Sequence, residues 1–357
     1  MRTTIAEASE TNPRNDSASL VELSDGSLFL VWMEFTESEL KGGDEAPNHI
    51  ASMTSSDGGA SWGIKRIEAE SPPGDISVYN PSLLRLQDRS ILFHYFAYNK
   101  LEWQTPLEST GYLLRSNDEC ASFSESTTDW SHEPYHHASN TYIQLRSGRI
   151  IHALGKIGIW GGPNDNQVAA SRYSDDNGES WHLSQNEVVL PLRGAMEPHL
   201  AEGKNDHLLM VVRTQLGGPF GAHSTNGGES WSKPQMLGVT GAESMPVIAS
   251  MPDSEDLLLI WNNSKYDPKF DHFGKRTPLQ SAISKDDGKS WQKGSAIESN
   301  PSWEYSNPSI NVLSNNRIAV TYFASKMENP NPPGKCGRSR MSLHGFFADT
   351  DWFYSTP

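Results

Sequence analysis

Short segments with alternating apolar and polar residues recur along the chain, each followed by a polar turn and a more apolar segment. Period-two alternation and β-branched content predict strands rather than helices. The first strands of these hairpins are centred near Leu20, Leu83, Ile143, Leu200, Ile248 and Ile310, at steps of 63, 60, 57, 48 and 62 residues. The second strands are predicted at 28–32, 91–95, 150–154, 208–212, 257–261 and 318–322. No segment shows helical periodicity, so six similar units of β-structure are expected.

A second repeat, Ser-x-Asp-x-Gly-x-x-Trp, falls between the hairpins. Full copies begin at Ser55, Ser174 and Ser284, a copy with Asn226 for Asp begins at Ser224, and a decayed copy with Cys120 for Gly begins at Ser116. The Asp or Asn positions are 61, 58, 50 and 60 residues apart. Because Asp and Asn bond nearby backbone and Gly supplies positive φ, each copy predicts a turn between strands.

Six hairpins and five turn motifs predict an all-β fold, a six-bladed β-propeller that forms one domain over residues 1–357. Each blade would be a four-stranded antiparallel sheet. The sixth hairpin has no such turn motif after it. We expect residues 345–354 to complete this blade together with the N-terminal stretch, because sealing the ring removes an exposed strand edge.

The charge of the chain excludes some partners. The formal net charge is −15, from 29 basic and 44 acidic residues. So acidic a surface argues against nucleic acid or an anionic membrane as the partner. No stretch is long and apolar enough to cross a bilayer, and residues 1–7 show no signal peptide, which leaves a cytoplasmic protein or a mature secreted or periplasmic form. Cys120 and Cys336 fit neither a disulfide framework nor zinc-ligand spacing.

The turn motifs are Asp boxes, also called BNR repeats. With six predicted blades, the chain resembles the exo-α-sialidases (neuraminidases) over essentially its whole length. The resemblance implies a retaining glycosidase that removes terminal sialic acid, or a related 2-keto-3-deoxy acid, from a sialylated or other acidic glycan. It implies no cofactor, because the chemistry uses side chains alone. In this architecture the Asp-box acids lie on the outer edge and are not catalytic.

Such a substrate sets clear chemical demands. Its anomeric carbon carries a carboxylate, which calls for arginines that can pair with it bidentately. A carboxylate nucleophile would be repelled there, and sialidases use a tyrosine activated by a glutamate instead. A further acid must protonate the leaving oxygen. The residues before the six first strands are the ones to inspect: Arg14, Tyr79, Asn80, Ser139, Asn140, Glu197, Glu243, Ser244, Glu304 and Tyr305.

Residues that match the family's motifs are found in order. Glu197, in Met-Glu-Pro, resembles the glutamate base, and Arg213 follows it by 16 residues, as the second carboxylate-binding arginine does. Arg276 resembles the third arginine. Tyr305, in Glu-Tyr-Ser, resembles the tyrosine nucleophile of the last blade.

Two further roles fall in the first blade. Arg14 lies where the first arginine is expected, although Asn15 and Asp16 follow it in place of the family's Ile-Pro. Asp16 would then either neutralise Arg14 or orient it. The acid/base is expected in the loop 37–48, where Asp44 is favoured over Glu45, with His49 as a further option.

Other interpretations remain open at this stage. The site could act on another acidic sugar, the propeller could bind glycans without catalysis, or the enzyme could be a lyase on acidic polysaccharide. The glycine-rich loop 158–162 could wall the pocket or simply connect two strands. His132, His136 and His137 are interpreted as structural, so no metal is predicted.

Overall fold

A computed structural model gives the structure of residues 1–39, 42–100, 102, 104–124, 130–159, 161–162, 164–270, 272–328 and 338–355. Cys336 and residue 160 of the glycine-rich loop lie outside these ranges. Among the helices in these ranges, none is long and apolar enough to span a membrane.

The described residues form 25 strands, one five-residue α-helix and a 3-10 turn at Lys204–Asp206. The strands are β1 Arg2–Ala6, β2 Arg14–Glu22, β3 Leu28–Phe35, β4 Asn48–Ser55, β5 Arg66–Glu70, β6 Val78–Arg85, β7 Ile91–Lys100, β8 Glu108–Ser116, β9 Trp130–Glu133, β10 Tyr135–His136, β11 Tyr142–Gln144, β12 Ile150–Ile157, β13 Gln167–Ser174, β14 His182–Leu183, β15 Met196–Glu202, β16 Leu208–Arg213, β17 Phe220–Ser224, β18 Gln235–Met236, β19 Val247–Ser250, β20 Leu257–Asn262, β21 Leu279–Ser284, β22 Gln292–Glu298, β23 Trp303–Leu313, β24 Arg317–Met327 and β25 Arg338–Asp349, and the helix is α1 Thr350–Tyr354. The predicted all-β class is confirmed.

The strands form five sheets. Three have four strands each, in the orders β6-β7-β8-β9, β15-β16-β17-β18 and β19-β20-β21-β22. A fourth contains β10 to β14. The fifth has eight strands, in the order β23-β24-β25-β2-β3-β4-β5 with β1 on β25. Its two antiparallel halves join where β2 and β25 run parallel, at the pair Arg14 and Met341.

The six predicted hairpins are all present as antiparallel pairs. The residue pairs are Leu20 with Leu30, Leu83 with Phe93, Ile143 with Ile151, Leu200 with Met210, Ile248 with Leu259, and Ile310 with Val320. Apolar residues from neighbouring sheets form the core between them, as Ile151 and Met210 do between the sheets of β12 and β16. The two halves of the eight-stranded sheet enclose a similar cluster that includes Leu20 and Phe347.

The two ends of the chain lie side by side, as predicted. β25 pairs with β24, and β1 pairs with β25 in a register that places Arg2 opposite Phe346. The N-terminal ammonium donates to the backbone oxygen of Phe347 at 2.6 Å. The expectation for 350–354 was wrong in one detail, because these residues form α1 after the strand has ended.

One strand of each hairpin faces the middle of the molecule. These inner strands are β2, β6, β11, β15, β19 and β23, and each contacts the next, with β23 contacting β2. Residues at or just before their starts line a cavity of about 580 Å³, and residues near their ends line another of about 600 Å³. The strand starts from distant parts of the sequence therefore meet in one place.

The five Asp-box turns share one hydrogen-bond pattern. In the first, Ser55 Oγ donates to Asp57 Oδ1 at 2.8 Å, and the Gly59 amide donates to Ser55 Oγ at 2.9 Å. The Ser61 amide and hydroxyl donate to the two Asp57 oxygens at 2.9 and 2.5 Å. The first three of these bonds recur in the turns that begin at Ser116, Ser174, Ser224 and Ser284. The fourth is reversed in the Ser224 copy, where Asn226 Nδ2 donates to Ser230 Oγ. No Asp or Asn of these five turns lines the first cavity.

Candidate functional site

The first cavity is lined by charged residues that are far apart in the sequence. Its described lining contains four arginines, Arg14, Arg193, Arg213 and Arg276, and four carboxylates, Asp44, Asp165, Glu197 and Glu243. Five of the six predicted site residues are therefore brought together: Arg14, Arg213, Arg276, Glu197 and Asp44. The sixth, Tyr305, does not line this cavity.

The start of β2 places Arg14 between two aspartates. Its Nε and Nη2 donate to Asp16 Oδ2 at 3.0 and 2.7 Å, and its Nη1 donates to Asp44 Oδ1 at 2.8 Å. The guanidinium stacks 4.4 Å from the centroid of the Phe35 ring. Asp16 is fully buried, whereas the Asp44 side chain is 50% exposed. Asp16 thus orients Arg14, and Asp44 is the partner that can reach a ligand.

Arg213, the last residue of β16, joins two glutamates. Its Nη1 donates to Glu197 Oε2 at 2.9 Å and its Nη2 to Glu243 Oε1 at 3.0 Å. The Nε of Arg213 is buried and has no hydrogen-bond partner within the described part of the chain. An unpaired buried donor is costly, so this guanidinium still has capacity for an acceptor.

Arg193 and Glu243 extend this network. Arg193 Nη1 donates to Glu243 Oε1 at 2.5 Å, and its Nε donates to Asp165 Oδ2 at 3.0 Å. Arg276 Nη2 donates to the backbone oxygen of Glu243 at 3.4 Å. Glu243 precedes an inner strand, as the predicted cavity residues do, but the sequence predicted no role for it. Arg193 and Asp165 lie in connections that carry no repeat, so sequence reasoning missed both.

The network of charges shifts pKa values. Burial alone would raise the pKa of Glu197, but Arg213 and Arg276 outweigh burial and hold it below its usual range. Burial likewise opposes ionisation of Glu243, and Arg213 and Arg193 again lower its pKa. Both glutamates are therefore ionised at neutral pH, and Glu197 has the protonation state of a base.

Three residues that line the cavity share an unusual backbone conformation. Asn80, Glu197 and Asn307 each precede a proline and adopt a left-handed backbone, with φ of 50°, 47° and 49°. The register of β6, β15 and β23 shifts at these points. Such a conformation is rare for residues other than glycine and clusters at functional sites. All three line the cavity.

Tyr305 faces the core instead. Its side chain is 5% exposed and belongs to the apolar cluster between the sheets of β20 and β24. Its ring lies 6.1 Å from that of Tyr322, and burial raises its pKa to about 12. Only its backbone is near the site, where the Tyr305 amide donates to the Arg276 oxygen at 2.9 Å. The structure therefore gives no support to Tyr305 as the nucleophile.

The position that resembles Glu197 on the last inner strand is Asn307. Its Nδ2 donates to both oxygens of Asp16 at 3.0 Å. The sequence carried a signal for this residue, because Asn-Pro-Ser occurs at both 80–82 and 307–309 and parallels Glu197-Pro198.

Another tyrosine, Tyr98, for which the sequence predicted no role, faces the cavity. Tyr98 lines it, and its ring lies 4.9 Å from that of Tyr79. Burial, followed by the charges of Asp44 and Glu197, raises the pKa of Tyr98. Tyr98 is therefore a protonated phenol that lies near both carboxylates. No sequence motif marked it, because it sits at the end of a long apolar strand.

The alternatives to Asp44 as the acid/base are less suited to that role. Glu45 is exposed and His49 pairs with Glu34 at 2.8 Å, and neither lines the cavity. The glycine-rich loop contributes Gly161 and Gly162 to the wall, and the histidine cluster contributes His136.

Comparison with known proteins identifies the class of the fold. The profile of the BNR repeat-like domain family matches residues 26–320, so the chain belongs to this family. No curated protein matches the chain at the sequence level.

Solved structures share the fold at low identity. A protein of unknown function from Dyadobacter fermentans has a TM-score of 0.71 and 18% identity, covering 98% of this chain and 97% of that one. A mutant of the NanB sialidase of Streptococcus pneumoniae has a TM-score of 0.74 and 12% identity, covering 98% and 70%. A leech intramolecular trans-sialidase has a TM-score of 0.67 and 14% identity, covering 98% and 71%. The chain thus has a sialidase-like all-β fold.

Proposed function

We propose that the chain is an exo-acting glycosidase that hydrolyses a terminal sugar bearing a carboxylate, sialic acid or a related 2-keto-3-deoxy acid. The observation that carries the proposal is that Arg14, Arg213 and Arg276, from three separate parts of the sequence, line one cavity with Glu197 and Asp44. Arginines bind a carboxylate through charge-assisted and often bidentate hydrogen bonds.

The scaffold in this proposal is a single six-bladed propeller, with each half of the eight-stranded sheet counted as one blade. Its support is the circuit of contacts among the six inner strands. The apolar cluster between the two halves resembles those between separate sheets. The catalytic cavity is then at the end of the channel where the inner strands begin.

The roles of the acids follow from their environments. Glu197 is ionised, and the predicted tyrosine does not reach the cavity, so we assign Glu197 as the base for water. Water attacks the anomeric carbon and gives its proton to Glu197. The bond to the leaving oxygen breaks as Asp44 protonates that oxygen. The sugar leaves with inverted configuration, in contrast to the retention expected from the resemblance.

Binding of the substrate prepares Asp44 for this role. In the structure Arg14 Nη1 donates to Asp44 Oδ1 at 2.8 Å. A substrate carboxylate that accepts from Arg14 Nη1 takes the place of Asp44. Asp44, released from Arg14 Nη1, takes a proton from solvent and donates it to the leaving oxygen.

A panel of fluorogenic glycosides of sialic acid, other 2-keto-3-deoxy acids and uronic acids tests the proposal. We expect turnover of at least one, with the inverted anomer of the free sugar seen first by proton NMR. Tyr305→Phe should retain turnover, because the phenol lies in the core. The tyrosine mechanism would be restored if the wild-type protein released the retained anomer and a folded Tyr305→Phe protein lost turnover.

The position of Tyr305 also favours a second candidate, a propeller that binds acidic glycans without cleaving them. In that case calorimetry detects binding of the free sugar acid, Arg213→Ala abolishes it, and no glycoside of the panel is turned over. If the protein neither binds nor turns over any acidic sugar, both functions are excluded.

A further inference from the structure

Three histidines that are separate in the sequence meet in the core beside the cavity. His94 lies in β7, His152 in β12, and His137 directly follows β10. Their side chains are at most 2% exposed, and one ligand nitrogen from each lies within 4.8 Å of the other two. The cluster joins two neighbouring sheets, because β7 belongs to one and β12 to the other.

Their ring nitrogens are almost all unsatisfied. His137 Nδ1 donates to the backbone oxygen of Ala138 at 2.7 Å, which fixes the tautomer and leaves Nε2 as a lone pair. That Nε2 and both nitrogens of His94 and His152 are buried without a hydrogen-bond partner within the described ranges. Five such atoms in one place are unusual, since buried polar groups in proteins are nearly always paired.

The surroundings keep the imidazoles neutral. Burial lowers the pKa of His137 to about 3 and lowers the pKa values of His94 and His152 well below the usual range. The walls are aromatic, with the ring of Tyr142 stacked 3.9 Å from that of His152. Gly111 leaves room, because a Cβ there would come within 3.1 Å of His94 Nε2. Neutral imidazole nitrogens with free lone pairs are the form that binds metals.

We propose that His94, His137 and His152 bind one late first-row transition-metal ion, zinc or copper, that fastens the two sheets together. Imidazole suits both metals. With bonds of about 2.0–2.1 Å, a tetrahedral ion holds its ligand nitrogens roughly 3.3 Å apart, so the most distant pair must draw together by up to about 1.5 Å. The fourth position is open to water or another small ligand.

The charge of the surroundings bears on whether zinc or copper is the preferred ion. The set offers three neutral ligands, and the nearby Arg172 guanidinium bonds to Glu133 and stacks 4.2 Å from the Trp130 ring. An added cation lies near this guanidinium, which favours the lower charge of copper(I) over zinc unless an anionic fourth ligand such as hydroxide binds. This is a question that metal analysis answers directly.

The test is the metal content of the full-length protein. The protein is produced in medium supplemented with zinc or with copper, washed with EDTA, and analysed by inductively coupled plasma mass spectrometry. We expect about one ion per chain, resistant to EDTA until the protein unfolds, because folding encloses the site. Refolding with cobalt(II) should give the visible absorption of a tetrahedral ion.

Matched histidine variants locate the ion. His94→Gln and His152→Gln should each lose the metal and melt at a lower temperature than the metal-loaded wild type. His132→Gln is the control, because His132 is 66% exposed and pairs with Glu108 outside the cluster. It should keep the ion.

Two results would overturn the proposal. One is wild-type protein with no bound ion after both metal-supplemented expression and refolding, which leaves a water-filled or dry cluster. The other is an ion retained in full by both His94→Gln and His152→Gln. Neither result bears on the proposed glycosidase, whose assay is separate.

Discussion

The Asp-box turns and the starts of the inner strands both recur along the chain, but they conserve different features. In the turns the side chains themselves make the structure, since Ser, Asp or Asn, and the second Ser satisfy each other and the backbone. At three of the six strand starts the shared feature is the backbone. Asn80, Glu197 and Asn307 have nearly the same φ but different chemical groups.

This difference shows how a repeated fold can hold a unique site. Where the hydrogen bonds of a turn need a given acceptor, a side chain that supplies it, Asp or Asn226, repeats in every copy. Where a register shift and a proline set the backbone, the side chain is free to differ. The cavity therefore gathers different groups in the same geometry.

The largest expected effect is at the strand starts. Glu197→Gln should reduce kcat by roughly 10²–10⁴-fold, because an amide cannot accept the proton of water. The fluorogenic assay measures this. Asp57→Asn, which reproduces the natural Asn226 copy of the turn, is the control and should leave kcat unchanged. Equal losses in both variants would erase the distinction between the two regions.

Arg213→Lys tests the carboxylate-binding role. A lysine keeps the charge but cannot donate to Glu197 and Glu243 while also meeting a substrate carboxylate. We expect KM to rise about 10–100-fold, the value of one or two charge-assisted hydrogen bonds, with little change in kcat. Arg66→Lys is the control, because Arg66 is 50% exposed and pairs with Glu68, and neither residue lines the cavity. An unchanged KM in Arg213→Lys contradicts the role.

The pH dependence of kcat/KM tests the ionisation state of Glu197. The pKa of Glu197 is lowered from the ordinary value of 4.5, so the base stays ionised, and its ion pair stays intact, as pH falls to that value. Both are lost only as pH falls through the lowered pKa. The acidic limb of kcat/KM should therefore lie below pH 4.5. A limb above that value would mean that burial outweighs Arg213.

In the turns the expected effects fall on stability. Gly288→Ala places a methyl group 2.5 Å from Leu209 Cδ2 at a φ of +84°, and should lower the free energy of unfolding by about 2–4 kcal/mol. Gly26→Ala is the matched control, with a φ of +83° and no atom within 4 Å of the added Cβ. It should cost only about 1–2 kcal/mol. Denaturant unfolding measures both, and equal losses would show that the contact with Leu209 is unimportant.

The smallest effect is expected for Asn226→Asp. Asn226 Oδ1 already accepts from Ser224 Oγ and from the Ser230 amide. The aspartate restores the common form of the turn, so we expect a change within about 0.5 kcal/mol in the free energy of unfolding. A larger loss would mean that the donor Asn226 Nδ2, which bonds Ser230 Oγ at 2.9 Å, is specific to this copy.

Much of the fold could be predicted because it depends on local and repeated signals. The hairpin steps and the turn motifs placed all six inner strands, and the pairs from Leu20 with Leu30 to Ile310 with Val320 follow. Side-chain direction at strand starts was harder. Successive residues of a strand face opposite sides, so an error of one position, or a register shift within the strand, moves a side chain out of the site.

Tyr305 illustrates this limit. It was chosen from the Glu-Tyr-Ser motif, yet the register shift between Ser306 and Ser309 presents Asn307 to the cavity. Arg193 and Asp165 could not be predicted, because they reach the cavity through connections whose path depends on tertiary packing. Asp44, Arg14, Arg213, Arg276 and Glu197 were predicted to share one cavity, and the structure brings them together.

The pairing of β1 with β25 has a consequence for synthesis of the chain. Arg2 lies opposite Phe346, so this ladder cannot form until the last strand has left the ribosome. Until then β2 presents an open edge on the side that β25 later covers. The nascent protein is most exposed to edge-to-edge association during this interval, and contacts between such distant residues form slowly. We expect the time that β2 spends with this edge uncovered to end only when synthesis reaches β25.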